Sequence, residues 1–192
     1  MRIIGLTGGI GSGKSTISQF FKLLGIATYN ADDKAKYLMA KDESLKHNII
    51  ALLGEMSYIE GVLNNRWIGE QVFSNPELLI MLNKIVHPAV KDDFNKWIQT
   101  QNGPYVLREA AILFESNSYT DCYKTILVFA PVNIRIQRVV KRDSLSEVNV
   151  INRMKNQWSD DSKIKLASYV INNFENSLII PQVLKIHGEI IE

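Results

Sequence analysis

Apolar positions in this chain fall into short unbroken runs that alternate with stretches of helical spacing. Arg2-Ile3-Ile4-Gly5-Leu6-Thr7 has the continuous apolar character of a buried strand. Ile17, Phe20, Phe21 and Leu24 then recur three and four positions apart, which predicts a helix over Lys14 to Leu24. Gly25 stops it, and Ile26 to Tyr29 reads as a second strand. Helices are expected over Asp32 to Met39 and over Ser44 to Leu53, the latter halted by Gly54. A turn or short hairpin follows between Glu55 and Asn65, then a helix over Arg66 to Phe73. Asn75-Pro76-Glu77 is a strong helix start, with a capping amide, a proline at the first helical position and an acid in the first turn. Leu78, Leu82, Ile85, Val86, Val90, Phe94, Trp97 and Ile98 carry that helix toward Asn102-Gly103, and Pro88 is expected to kink or split it. Pro104 to Ala111, Lys124 to Ala130 and Tyr169 to Ile171 complete five strands. Helices over Val132 to Lys141, Glu147 to Gln157 and Ser177 to Ile190 fill the gaps between them.

Strands alternating with helices argue for an α/β fold whose parallel sheet is covered by helices on both faces. At 192 residues the chain accommodates one such unit with insertions, and not two ordinary domains. The interval from Asp32 to Asn102 is too long for a simple crossover, so it is expected to form an inserted substrate lobe. Hydrophobic residues at 46% and charged residues at 22% are ordinary for a globular protein. A net charge of +2 gives no field that would make nucleic acid the main partner. Cys122 is the only cysteine, which excludes an intrachain disulfide framework and points to a reducing compartment, with the thiol itself inert. No run approaches the ~18 apolar residues of a membrane span, and the short N-terminal apolar run does not suit a secretory signal. A cytoplasmic protein without a membrane partner is the expectation.

The chemistry is concentrated after the first strand, in Gly8-Gly9-Ile10-Gly11-Ser12-Gly13-Lys14-Ser15-Thr16. Two glycines bracket four residues before Lys-Ser, the pattern of a loop whose N–H groups turn inward onto phosphate oxygens. The helix that begins near Gly13 adds its positive end at the same place. Gly9, Gly11, Ser12, Gly13, Lys14, Ser15 and Thr16 are therefore the candidate nucleoside-triphosphate contacts. Lys14 would reach the outer phosphates with an ammonium expected to be solvent-exposed in the free protein, and Ser15 would hold Mg²⁺.

Three classes share such a loop: switch GTPases, large ATPases and small-molecule kinases. No aspartate here has glycine three positions later, and Asn83-Lys84-Ile85-Val86 lacks the acid of a guanine-reading segment. Little chain is left for the partner surface of a large ATPase. The residues favour a kinase, against a slowly hydrolysing nucleotide-dependent switch. Asp32 follows the second strand, where it would orient or deprotonate an attacking hydroxyl, or else favour a helix start together with Asp33. Glu109 ends the third strand, placed to meet Mg²⁺ through water or to sit solvated. Arg138 and Arg142, four positions apart on one helix face, would close on the triphosphate or form a salt-bridged surface. His87 would contact substrate or simply pack.

Several segments resemble the dephospho-CoA kinase family over nearly the whole chain. Ile4 to Thr16 is similar to that family's version of the loop, with Ile10 where nucleoside monophosphate kinases usually carry proline. Asn30-Ala31-Asp32 resembles its Asp-Ala-Asp, Phe73 to Glu77, Leu82-Asn83 and Val86-His87-Pro88 its helical region, and Ile112-Leu113-Phe114-Glu115 its Pro-Leu-Leu-Phe-Glu segment. Arg138 and Arg142-Asp143 match the start of its lid. Asn30 stands where the family has an acid, Ala111 where it has proline, and Ser168 and Asn172 where acids are common. The resemblance implies a P-loop kinase fold with a five-stranded parallel sheet, a helical substrate lobe at about 32–102 and a mobile lid at about 138–161, all within one domain. It implies transfer of the γ-phosphoryl of ATP to the ribose 3′-hydroxyl of dephospho-CoA, with Mg²⁺, in coenzyme A biosynthesis. Asp32, Lys14 and Arg142 would be catalytic, Ser15 and Glu109 would serve the metal, and Thr7, Asp32, His87 and Leu113 would meet the acceptor. Monomer or small homo-oligomer both remain compatible. An ordinary aspartate pKa near ~3.9 makes hydroxyl orientation the main task of Asp32.

Overall fold

The computed structural model describes residues 1–73 and 75–192, so Ser74 of the Phe73-to-Glu77 segment lies outside the described residues. Two compact units divide the chain, one made of residues 1–30 and 101–192 and the other of residues 31–100. The chain opens with β1 (Arg2–Thr7), α1 (Lys14–Leu23) and β2 (Ala27–Asn30). The second unit contains α2 (Ala31–Lys41), α3 (Glu43–Leu53), a hairpin of β3 (Tyr58–Ile59) and β4 (Val62–Leu63), α4 (Asn65–Phe73) and α5 (Pro76–Gln99). The first unit resumes with β5 (Tyr105–Glu109), β6 (Lys124–Phe129), α6 (Val132–Asp143) and α7 (Glu147–Met154). It ends with α8 (Asp160–Leu166), β7 (Tyr169–Asn172) and α9 (Ile179–Ile191).

β1 is the centre of a parallel sheet in the order β2-β5-β1-β6-β7. Its unbroken apolar character has a direct cause: Ile4 and Leu6 are completely buried, with helices flanking the sheet. Leu6 pairs with Glu109 of β5 and with Ile126 of β6, and Asn30 of β2 also pairs with Glu109. The carboxyl ends of β1, β2 and β5 therefore finish along one edge, where sheets of this type bind ligands. Ile17 and Phe21 of α1 and Val183, Ile186 and Ile190 of α9 bury against Ile4, Leu6, Leu107, Ile126 and Ile171. Each such side chain contributes about 1.5–3 kcal/mol of transfer free energy, which fixes the root of the loop that leaves β1. Cys122 lies in this unit, and burial pushes its thiol up to about 11, leaving little thiolate at neutral pH.

Pro88 does not split its helix. α5 runs unbroken from Pro76 to Gln99, because Leu82, Val86, Val90 and Phe94 bury one face through the proline and tertiary packing outweighs the lost N–H bond. The expected helix over Glu147 to Gln157 ends earlier, at Met154, and a further helix, α8, follows where none was expected. Ser159 caps it, its hydroxyl accepting from the Ser162 N–H at 3.2 Å. Among the described residues no helix is long and apolar enough to cross a membrane.

Candidate active site

The Gly-rich loop leaves β1 and enters α1 through Gly13, which has φ 93° and provides no side-chain cap. A left-handed residue there favours glycine, and a side chain would also collide with the Asn173 carboxamide. α1 carries no acid of its own in its first turn, and its positive end faces the loop. The loop itself is tight, with the Ser12 N–H donating to the Gly9 carbonyl at 3.0 Å. Thr7 and Ser12 at its root are completely buried, and their hydroxyls have no hydrogen-bond partner among the described residues. Ser15 and Thr16 are exposed on the first turn of α1.

Two of the sequence-predicted groups meet here. Ser15 Oγ donates to Glu109 Oε1 at 3.3 Å, joining the first turn of α1 to the end of β5. Glu109 is only 4% exposed. Lys14 corrects the expectation of a solvated ammonium: it is half-buried, and its Nζ folds back to donate to the Gly8 carbonyl at 3.0 Å.

The two arginines of α6 do different things. Arg138 is committed to the loop, with guanidinium nitrogens 3.5 and 3.4 Å from the carbonyls of Gly11 and Ser12 and 3.0 Å from that of Asn173. Asn173 in turn donates to the Ser12 carbonyl at 2.7 Å. Arg142, one turn further on, is exposed and makes a two-pronged pair with Asp143 at 2.7 and 2.9 Å, and that hydrogen-bonded partner raises its pKa.

Sequence reasoning missed Arg135. It is 6% exposed, donates to Asp160 Oδ2 at 2.7 Å, and places its guanidinium where a Cβ on Gly9 would lie. Burial lowers its pKa, and Asp160 opposes that shift. Its position three residues before Arg138 on an amphipathic helix was a usable signal; Asn173 and Asp160 had none beyond proximity to predicted elements. Leu113 is fully buried, its Cδ2 2.5 Å from where a Cβ on Gly5 would lie, so its position here is one of interior packing. In the second unit, Asp32 is half-buried in the first turn of α2, while Asp33 is exposed and lies 4.0 Å from Lys36. His87 is half-buried on α5, directly before Pro88.

Residues 2–178 match the family model described as dephospho-CoA kinase. The chain belongs to the dephospho-CoA kinase family. It is 34% identical over 184 residues to a Bacteroides fragilis dephospho-CoA kinase, covering 95% of this chain and 90% of the relative. A crystal structure of a Thermus thermophilus protein matches with a TM-score of 0.85 at 32% identity, covering 98% of this chain and 96% of that one. A Campylobacter jejuni dephospho-CoA kinase structure shares the fold, with a TM-score of 0.68 at 24% identity and coverage of 99% and 98%. Family membership makes the chain an ATP-dependent phosphotransferase of coenzyme A biosynthesis that phosphorylates dephospho-CoA. Enzymes of this class typically need a divalent metal.

Proposed function

We propose that the Gly8-to-Thr16 loop binds ATP and that Asp32, Lys14 and Arg142 carry transfer of its γ-phosphoryl to the ribose 3′-hydroxyl of dephospho-CoA, giving CoA and ADP. The observation that supports this reading best is the meeting of Ser15, which follows Lys14 on the phosphate loop, with Glu109 at the end of β5, bringing two oxygen ligands to the loop that carries the cation. Mg²⁺ takes oxygen ligands at about 2.1 Å in octahedral array, so neighbouring ligands stand about 3 Å apart. The 3.3 Å between Ser15 Oγ and Glu109 Oε1 fits that spacing, directly or through water. Asn30, beside Glu109 in the strand register, leaves a single carboxylate at the strand ends of β2 and β5. That suits a metal that arrives with the triphosphate and keeps water ligands. When bound, the metal would supply charge neutralisation at the phosphates.

The chain's own groups do the remainder. Loop N–H groups and the start of α1 hold the phosphates, and Lys14 exchanges the Gly8 carbonyl for phosphate oxygen as charge develops. Asp32 orients the acceptor hydroxyl and takes its proton. Arg142 leaves Asp143 for the phosphates, and closure of a lid at about 138–161, moving between its anchored ends at Arg138 and at Gln157 to Asp160, excludes water, which would otherwise compete as acceptor. Thr7 and His87 are assigned to acceptor binding on the family resemblance. Coupled ADP release with dephospho-CoA, adenosine, AMP and shikimate in parallel, with mass and phosphorus NMR of the product, tests the reading. Dephospho-CoA should exceed adenosine in kcat/KM, because binding of its remote groups serves the reacting centre. Acceptor-independent hydrolysis, or a preference for shikimate or AMP, would count against it. A cytoplasmic setting suits the single, unreactive Cys122.

A further inference from the structure

A line of contacts runs from the phosphate loop into the segment joining α7 to α8. The Ile10 N–H donates to Gln157 Oε1 at 2.9 Å, and Gln157 Nε2 donates to the Ala111 carbonyl at 3.2 Å. One carboxamide thus ties the apex of the loop to the turn that follows β5. The segment carrying it is itself anchored. The Trp158 N–H donates to Glu115 Oε1 at 2.9 Å, and the same oxygen lies 2.8 Å from Nζ of the fully buried Lys163. Two residues past Trp158, Asp160 holds the Arg135 guanidinium against Gly9. Separating buried charges of this kind is strongly unfavourable, so Gln157 projects from fixed backbone.

We propose that Gln157 is a positioning residue for phosphoryl transfer, holding the Ile10 peptide so that the other loop N–H groups converge on phosphate. Ile10 lies between Gly9 and Gly11, whose backbones permit many conformations, so the apex is the part of the loop most in need of restraint. Arg138 and Asn173 restrain the Gly11 and Ser12 carbonyls on the side toward α1, and Gln157 supplies the matching restraint on the side toward β1. The task calls for a carboxamide, because one end must accept from an N–H while the other donates to a carbonyl. A carboxylate accepts only, and an aliphatic chain does neither. This inference rests on the loop being the ATP site.

Two variants test it. Gln157→Leu removes both bonds and should lower kcat/KM for ATP about tenfold at a temperature where the variant is still fully folded, with KM for the acceptor unchanged. Gln157→Glu keeps the acceptor but, ionised, loses the donor and turns a negative charge toward an anion site. Its loss should be larger at about pH 8, and the ratio of variant to wild-type kcat/KM should climb toward about pH 4.5, close to the ordinary glutamate pKa of ~4.3, as the protonated carboxyl regains the donor. Arg135, Lys155 and Asp160 are the charged groups that line the same cavity as Gln157. Calorimetric ATP affinity without acceptor reads the loop separately from the chemistry. Wild-type protein that binds ATP but does not phosphorylate dephospho-CoA would contradict the functional reading alone. A Leu variant with wild-type ATP affinity and kcat/KM, a Glu variant whose deficit ignores pH, or an equal loss in KM for the acceptor would overturn the role of Gln157.

Discussion

Gly9 lacks a side chain because Arg135 stands where its Cβ would project. The arginine has little room to retreat, since it is buried and paired with Asp160. Gly9→Ala should therefore destabilise by about 1–3 kcal/mol and depress ATP turnover. In an Arg135→Gln background the same change should lose less, with a coupling of about 1 kcal/mol or more in a double-mutant cycle read by urea unfolding. Additive losses would mean that the two residues do not share that space. For Asp32, the Asn variant should lower kcat by ~10²–10⁴ while ATP still binds. Asp33→Asn is the control, because Asp33 shares the first turn of α2 and is exposed. Equal losses in the two variants would reduce Asp32 to a helix-start residue.

Helix α5 shows how packing overrides a local rule. Its Leu82, Val86, Val90 and Phe94 stripe holds the helix together across Pro88, at the cost of one hydrogen bond to the Lys84 carbonyl. Pro88→Ala restores the donor and should raise stability by about 1–3 kcal/mol, seen as a higher denaturant midpoint; an unchanged midpoint would mean that the helix is already relaxed around the proline. Elements with strong periodicity and clear stops were legible in sequence: β1 and β6 through their apolar runs, α1 through its stripe, and α5 at its N-terminus, where Asn75 Oδ1 accepts from the Leu78 N–H at 3.2 Å. α8 was missed although Ser159-Asp160-Asp161 carries a cap and two acids, because its seven residues include too few apolar positions to show a period. The same limit applies to the site. Glycine spacing revealed the phosphate loop and its Ser15 and Lys14, whereas Arg135, Asn173 and Gln157 reach it from 120 or more positions away, through contacts that only the folded sheet creates.

As a whole, the enzyme holds the groups proposed to bind phosphate on its own carbonyls and carboxylates, so ligand should add stability. Mg-ATP at about a hundred times its Kd should stabilise by about 2.7 kcal/mol, visible as a rise in Tm, and Lys14→Ala should lose most of that rise while unfolding normally without nucleotide. A variant that keeps the full rise would remove Lys14 from the site. The order of the sheet also bears on how the protein is made. β1 pairs with Tyr105–Glu109 and with Lys124–Leu127, so the strand that carries the phosphate loop leaves the ribosome before its partners and waits for them over about a hundred residues, ~5–20 s at typical elongation rates. Residues 31–100 form their compact unit from local neighbours and can close during that wait. A nascent chain halted near about residue 135, with residues 31–100 outside the exit tunnel and β5 still within it, would then hold a protease-resistant helical segment and a β1 strand that is still open to cleavage and to chaperone capture.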